Sequence, residues 1–208
     1  MRTLSQPLGA ATARAQFETP ATVNAPLFRS LTSKLATNRR WVILDLGAVR
    51  RQTVELLQRF RCRLDIADLG DDLDTLNAVA DAAVRSSRAE ALLPAHNTEL
   101  ADIVFCWDYL NYLERGALTS LMHSIAVRCR PGAHVHALIV YRDRRMQSVP
   151  GNFGPVDEGY ITNRSDSKLE RIAPRYSTED MQACLPDFTI EGARLLGNGM
   201  QEYLFRLQ

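Results

Sequence analysis

Trp41-Val42-Ile43-Leu44-Asp45-Leu46-Gly47-Ala48 restricts the possible folds of this chain more than any other stretch. Four apolar residues in a row, preceded by Arg39-Arg40 and followed by Gly47, read as a strand buried on both faces. Gly47 supplies a turn, and Val49, Val54, Leu57 and Phe60 then recur at helical spacing. Cys62 to Leu69 follows as a second strand, so the segment opens a βαβ unit. In open sheets of this kind ligands sit in the crevice at the carboxyl ends of the strands, here beyond Asp45 and Asp68.

The rest of the chain extends that pattern. Residues 1–23, rich in Ala, Thr, Pro and Gln, read as a flexible arm, and residues 24–208 as one domain. Asn24 suits a helix cap, with Pro26 in the first turn and Leu27, Phe28, Leu31 and Leu35 on one side. Asp71 to Arg85 has the spacing of a second helix, and Ala89 to Leu93, stopped by Pro94, that of a short third strand. Ile103 to Trp107, opened by Asp102, is a buried strand. A helix over 118–128 is broken at Pro131-Gly132, and His134 to Tyr141 is another buried strand. Residues 142–176 have no period, which predicts a lid or a substrate or partner loop. Ser177 with Asp180 forms a capping box for a last helix. Phe188-Thr189-Ile190 and Tyr203 to Leu207, around Gly197-Asn198-Gly199, read as a closing hairpin. Alternating strands and helices ending in a hairpin predict an α/β fold: three layers, doubly wound, with a mostly parallel sheet.

Composition excludes several classes of partner. Lys and Arg number 25 against 24 Asp and Glu, a formal charge of +1, which gives no reason to expect nucleic acid. No apolar run nears the roughly 18–20 residues of a membrane span. Cys62, Cys106, Cys129 and Cys184 are scattered without a C-x-x-C pair, as expected of reduced thiols in a cytoplasmic protein without structural zinc. His134 and His136 share a strand face, but no third ligand stands near, so no metal is expected.

Val42 to Gly47, Ile66-Ala67-Asp68, Ala101 to Asp108, Cys129-Arg130-Pro131-Gly132-Ala133 and the stretch from Asp187 onward occur in an order and spacing that resemble the class I S-adenosylmethionine (SAM)-dependent methyltransferases. The resemblance covers about residues 25–208. It implies that Asp45 and Gly47 form the cofactor loop and that Asp68 accepts hydrogen bonds from the ribose hydroxyls. Asp45 serves equally well to hold backbone amides at the turn, and Asp68 to cap the next helix. Asp108, beside Trp107, Tyr109, Asn111 and Tyr112, is the candidate general base, or else a cap for the segment after it.

The chain departs from the family where the first motif runs acid-x-Gly-x-Gly-x-Gly. Here Val49 and Arg51 replace the last two glycines. Glycine serves there through positive φ and close approach of backbone to ligand, so the loop is expected to take another shape. The Arg51 side chain is also expected to crowd the methionine end of the cofactor. The expectation is therefore a methyltransferase-fold pseudoenzyme that binds SAM weakly or not at all and acts through a protein partner. The alternative is an active SAM-dependent methyltransferase on a small-molecule or protein substrate. A third possibility places an anion at the helix start beside Arg50 and Arg51. Arg142, Arg144, Arg145, Arg164 and Arg171 in and around the lid are suited to anionic groups, or form a solvated surface.

Overall fold

Trp41–Asp45, the expected first strand, lies inside a six-stranded sheet with every residue buried. The computed structural model describes residues 21–36, 39–95, 99–164 and 167–208. In chain order they form β1 (Ala21–Asn24), α1 (Pro26–Lys34), β2 (Trp41–Asp45), α2 (Arg51–Leu57) and β3 (Cys62–Ile66). Next come α3 (Leu73–Asn77), α4 (Ala82–Ala91), β4 (Ala101–Trp107), a 3-10 turn (Tyr109–Tyr112), α5 (Arg115–Val127) and β5 (Cys129–Val140). The chain ends with β6 (Arg145–Gln147), β7 (Phe153–Pro155), β8 (Tyr160–Asn163), β9 (Glu170–Ile172), α6 (Thr178–Cys184), β10 (Phe188–Leu195) and β11 (Met200–Leu207).

The main sheet has the order β10-β11-β5-β4-β2-β3. β3, β2, β4 and β5 are parallel, and β11 and β10 add an antiparallel hairpin at one edge. The strands buried on both faces, β2 and β4, are the ones that read as continuous apolar runs. Phe28 of α1 packs on Phe105, Trp107 and His136, with ring centroids 5.4–5.9 Å apart. Helices α3 to α6 pack against one another in series to form the other helical layer.

Several local expectations are corrected. Asn24 does not cap α1: it lies in β1, paired with Tyr160 of β8, so the expected arm boundary at residue 23 falls within a strand. The expected arm over residues 1–20 lies outside the described residues. Asp71 to Arg85 is not one helix, because the Asp81 carboxylate accepts from the Val84 amide (2.9 Å) and starts α4 afresh. Ala89 to Leu93 is no third strand, since α4 runs to Ala91. Helix α2 buries Thr53, Leu56 and Leu57, whereas Val49 and Val54 of the expected face are exposed. β5 begins at Cys129, ahead of Pro131-Gly132; Gly132 (φ 80°) absorbs the register shift against β4 without ending the strand. Residues 142–176 are not a structureless loop but hold β6–β9 in two small antiparallel sheets, β1-β8-β7 and β6-β9. The Ser177–Asp180 capping box is present in full.

Candidate functional site

The carboxyl ends of β2, β3 and β4 converge on Asp45, Asp68 and Asp108. Backbone pairing continues past β3, with Ala67 donating to the Asp45 carbonyl (2.9 Å) and Leu69 to the Leu46 carbonyl (3.0 Å). This holds the Gly47 loop and the Asp68 loop side by side. Asp68 has φ 51°, which aspartate tolerates better than most residues, and its exposed carboxylate has no hydrogen-bond partner among the described residues.

Asp45 is buried and turned inward. Its Oδ1 accepts from the Gly47 amide (2.9 Å) and from Trp107 Nε1 (2.7 Å). Burial raises its carboxyl to about 6, against the pull of those two donors and of the Arg50 guanidinium. The turn-holding role read from the sequence is the one that the geometry displays.

Trp107 gives the site its shape. The residue has φ 46°, uncommon for a bulky side chain and worth roughly 1–3 kcal/mol of strain. That conformation, after a register shift between Phe105 and Trp107, lays the indole against Gly47. A Cβ at Gly47 would stand 3.1 Å from Trp107 Cδ1, so any larger residue would press on the protein's own indole. Trp107 is 1% exposed and stacks into the Phe28–Phe105–His136 aromatic cluster. Tyr109, 4% exposed, brings its hydroxyl to the Ala48 backbone and to within 4.0 Å of a Cβ built on Gly70. Burial first, and then the carboxylates of Asp108, Asp68 and Asp45, raise this phenol to about 12.

Asp108 is buried, and does not cap the 3-10 turn with its side chain. Its Oδ2 accepts from the Gly151 amide (2.8 Å) and, at 3.4 Å, from the Tyr112 hydroxyl, while Oδ1 is buried without a partner. Burial pushes the carboxyl up to about 7, opposed by the Gly151 amide. Asn111 holds this corner in place, donating to the carbonyls of Asp108 (2.7 Å) and Leu138 (2.8 Å) and accepting from the Val140 amide.

The substituted loop avoids the glycine-type conformation, as expected. Val49 and Arg51 do not have positive φ. Arg51 does not crowd the crevice: its side chain is 87% exposed and pairs with Glu55 at 2.6 Å. The side chains packed against the Gly47–Ala48 loop are Trp107 and Tyr109, which the sequence placed beside Asp108 without a role. Gly151, clamped on Asp108, had no sequence signal beyond the turn dipeptide Pro150-Gly151. His134 and His136 have separate partners: Lys34 and Glu191 meet His134, and buried Glu202 meets His136.

The fold is that of the class I SAM-dependent methyltransferases. A SAM-dependent methyltransferase from Clostridium acetobutylicum aligns with a TM-score of 0.51 and 14% identity, over 86% of this chain and 88% of that one. CalS10, an amino pentose methyltransferase from Micromonospora echinaspora solved with SAM bound, gives 0.51 and 12%, over 88% and 90%. The glycopeptide N-methyltransferase MtfA, complexed with SAM, gives 0.51 and 11%, over 97% and 100%. No protein-family model matches the sequence, and no curated protein matches it. At these identities the likeness establishes the fold. Among the described residues, no helix is long and apolar enough to cross a membrane.

Proposed function

We propose that this chain is a methyltransferase-fold protein that binds SAM weakly or not at all and acts through contacts with a protein partner. The observation that carries this reading is the Trp107 indole, packed on Gly47 and hydrogen-bonded to Asp45 in the space where backbone and cofactor would meet. Ligand binding would have to break a buried hydrogen bond and undo part of an aromatic cluster, which together cost several kcal/mol. Leu169 and Ile172, 73% and 79% exposed beside the β6–β9 sheet, support a contact surface in the region expected to be a lid. One observation favours the alternative of an active enzyme. Asp108, with a free buried oxygen and a carboxyl near neutrality, has the character of a general base held under Gly151.

Titration calorimetry with SAM and S-adenosylhomocysteine separates the two. The expected result is no saturable heat below about 1 mM, whereas a dissociation constant near 1 μM, about −8 kcal/mol, would overturn the proposal. The double variant Val49→Gly/Arg51→Gly is expected to gain no binding, because both side chains already lie outside the crevice. Trp107→Leu is expected to uncover binding, at a stability loss on the order of 3 kcal/mol that a thermal melt would register.

A further inference from the structure

A cavity of about 110 Å³ opens between the start of α2 and the β7–β8 hairpin, lined by Arg50, Gln52, Asn152, Gly154, Thr162 and Arg164 among others. We propose that it binds a phosphate-class oxyanion, either free or as the head group of a small phosphate monoester. Arg50 and Arg164 both line it, and among the described residues no carboxylate does. Neither guanidinium has a hydrogen-bond or ion-pair partner among the described residues, whereas Arg51 pairs with Glu55, Arg59 with Glu158, Arg145 with Glu170 and Arg171 with Asp74. The Arg164 backbone is held by its amide N–H, which donates a hydrogen bond to the Asn152 carbonyl (3.1 Å), and Thr162 pairs across the hairpin with Gly154. The hairpin thus contributes Arg164 and Thr162 to the lining, while the residue before α2 contributes Arg50.

The space and the donors suit such an ion. A cavity of about 110 Å³ has room for a tetrahedral anion, which needs the space of a few waters. Arginine's planar fork binds phosphate oxygens in pairs, and two of them match a dianion better than a carboxylate. Gly154 leaves the space open: a Cβ built there meets nothing within 4 Å, although the residue itself is buried. A larger side chain would therefore enter the cavity. No residue of the cavity takes part in the Asp45–Trp107 hydrogen bond, although the Arg50 guanidinium also acts on the Asp45 carboxyl, so phosphate binding is measured in the absence of SAM.

The experiment is calorimetry with inorganic phosphate, glycerol 3-phosphate and acetate at constant ionic strength, on the full chain and on Arg50→Gln, Arg164→Gln and Gly154→Val. Saturable phosphate binding is expected in the unmodified protein, with acetate at least tenfold weaker. Each arginine variant should lose at least tenfold in affinity. Gly154→Val should abolish binding with its thermal midpoint in the absence of phosphate unchanged or raised, since strand positions favour β-branched residues. Equal affinity for the two phosphates would mark the free ion, and tighter glycerol 3-phosphate a monoester ligand. The proposal is overturned by an unsaturable response, by acetate binding as well as phosphate, or by saturable binding that all three variants retain.

Discussion

Asp108 and Asp45 have their carboxyls in surroundings that favour the protonated form, up to about 7 and about 6 respectively. The direction of the resulting pH effect follows from linkage. Between the unfolded value of about 3.8 and the raised folded value, the folded state binds the extra proton, so the contribution to stability is full below about pH 4. It is lost as pH rises through about 7. Asp108→Asn keeps the acceptor for Gly151 and removes the charge, so it is expected to stabilise the protein at pH 8 by on the order of 3 kcal/mol and hardly at all at pH 4. Thermal melts of both proteins from pH 4 to 8 test this; the difference between them cancels opposing acids such as Asp180, whose carboxyl Arg115 holds low. Parallel curves with no pH-dependent gap would show that Asp108 is ionised in the fold.

Helix α1 shows how an element can be legible while its anchor is not. Pro26 and the buried Phe28, Leu31 and Leu35 follow the expected period, but no side chain of the preceding residues caps the first turn. Glu202, on β11 and fully buried, does so instead, its carboxylate accepting from Leu27 (2.9 Å) and Phe28 (2.7 Å) while also meeting His136 at 2.9 Å. Removing it would strand two helix amides and a buried imidazole. Glu202→Ala is therefore expected to cost on the order of 3 kcal/mol or more, and Asn24→Ala under about 0.5 kcal/mol. Urea denaturation of the pair decides it; comparable losses would return the cap to Asn24.

At the scale of the whole molecule, the stretch ahead of α1 is the edge strand of the β1-β8-β7 sheet and ties it to α1. β1 pairs with β8 residue for residue from Ala21–Asn163 to Asn24–Tyr160, and the Ala25 amide adds a bond to the Gly159 carbonyl (2.9 Å). Removing residues 1–24 would leave β8 with an unpaired edge while the six-stranded sheet keeps all its strands. Limited proteolysis of the truncated chain should cut first within 153–164, with little change in the circular dichroism of the rest. Unchanged cleavage there would mean that β7 and α2 alone hold the hairpin.

The sequence by itself determined the four parallel strands, the closing hairpin, the capping box of α6 and the positions of Asp45, Gly47, Asp68 and Asp108 at the strand ends. Each depends on local signals: runs of apolar residues, turn glycines, and side chains bonding their own neighbours. The tertiary structure decided what packs on the Gly47 loop. Trp107 reads as an ordinary apolar strand end, and only its positive φ brings the indole onto a loop 60 residues earlier. In the same way Glu202 reaches α1 across 174 residues, and Arg50 meets Arg164 around one cavity only after α2 packs on β7. Such contacts join residues with no shared period or spacing, so they form only when the layers come together.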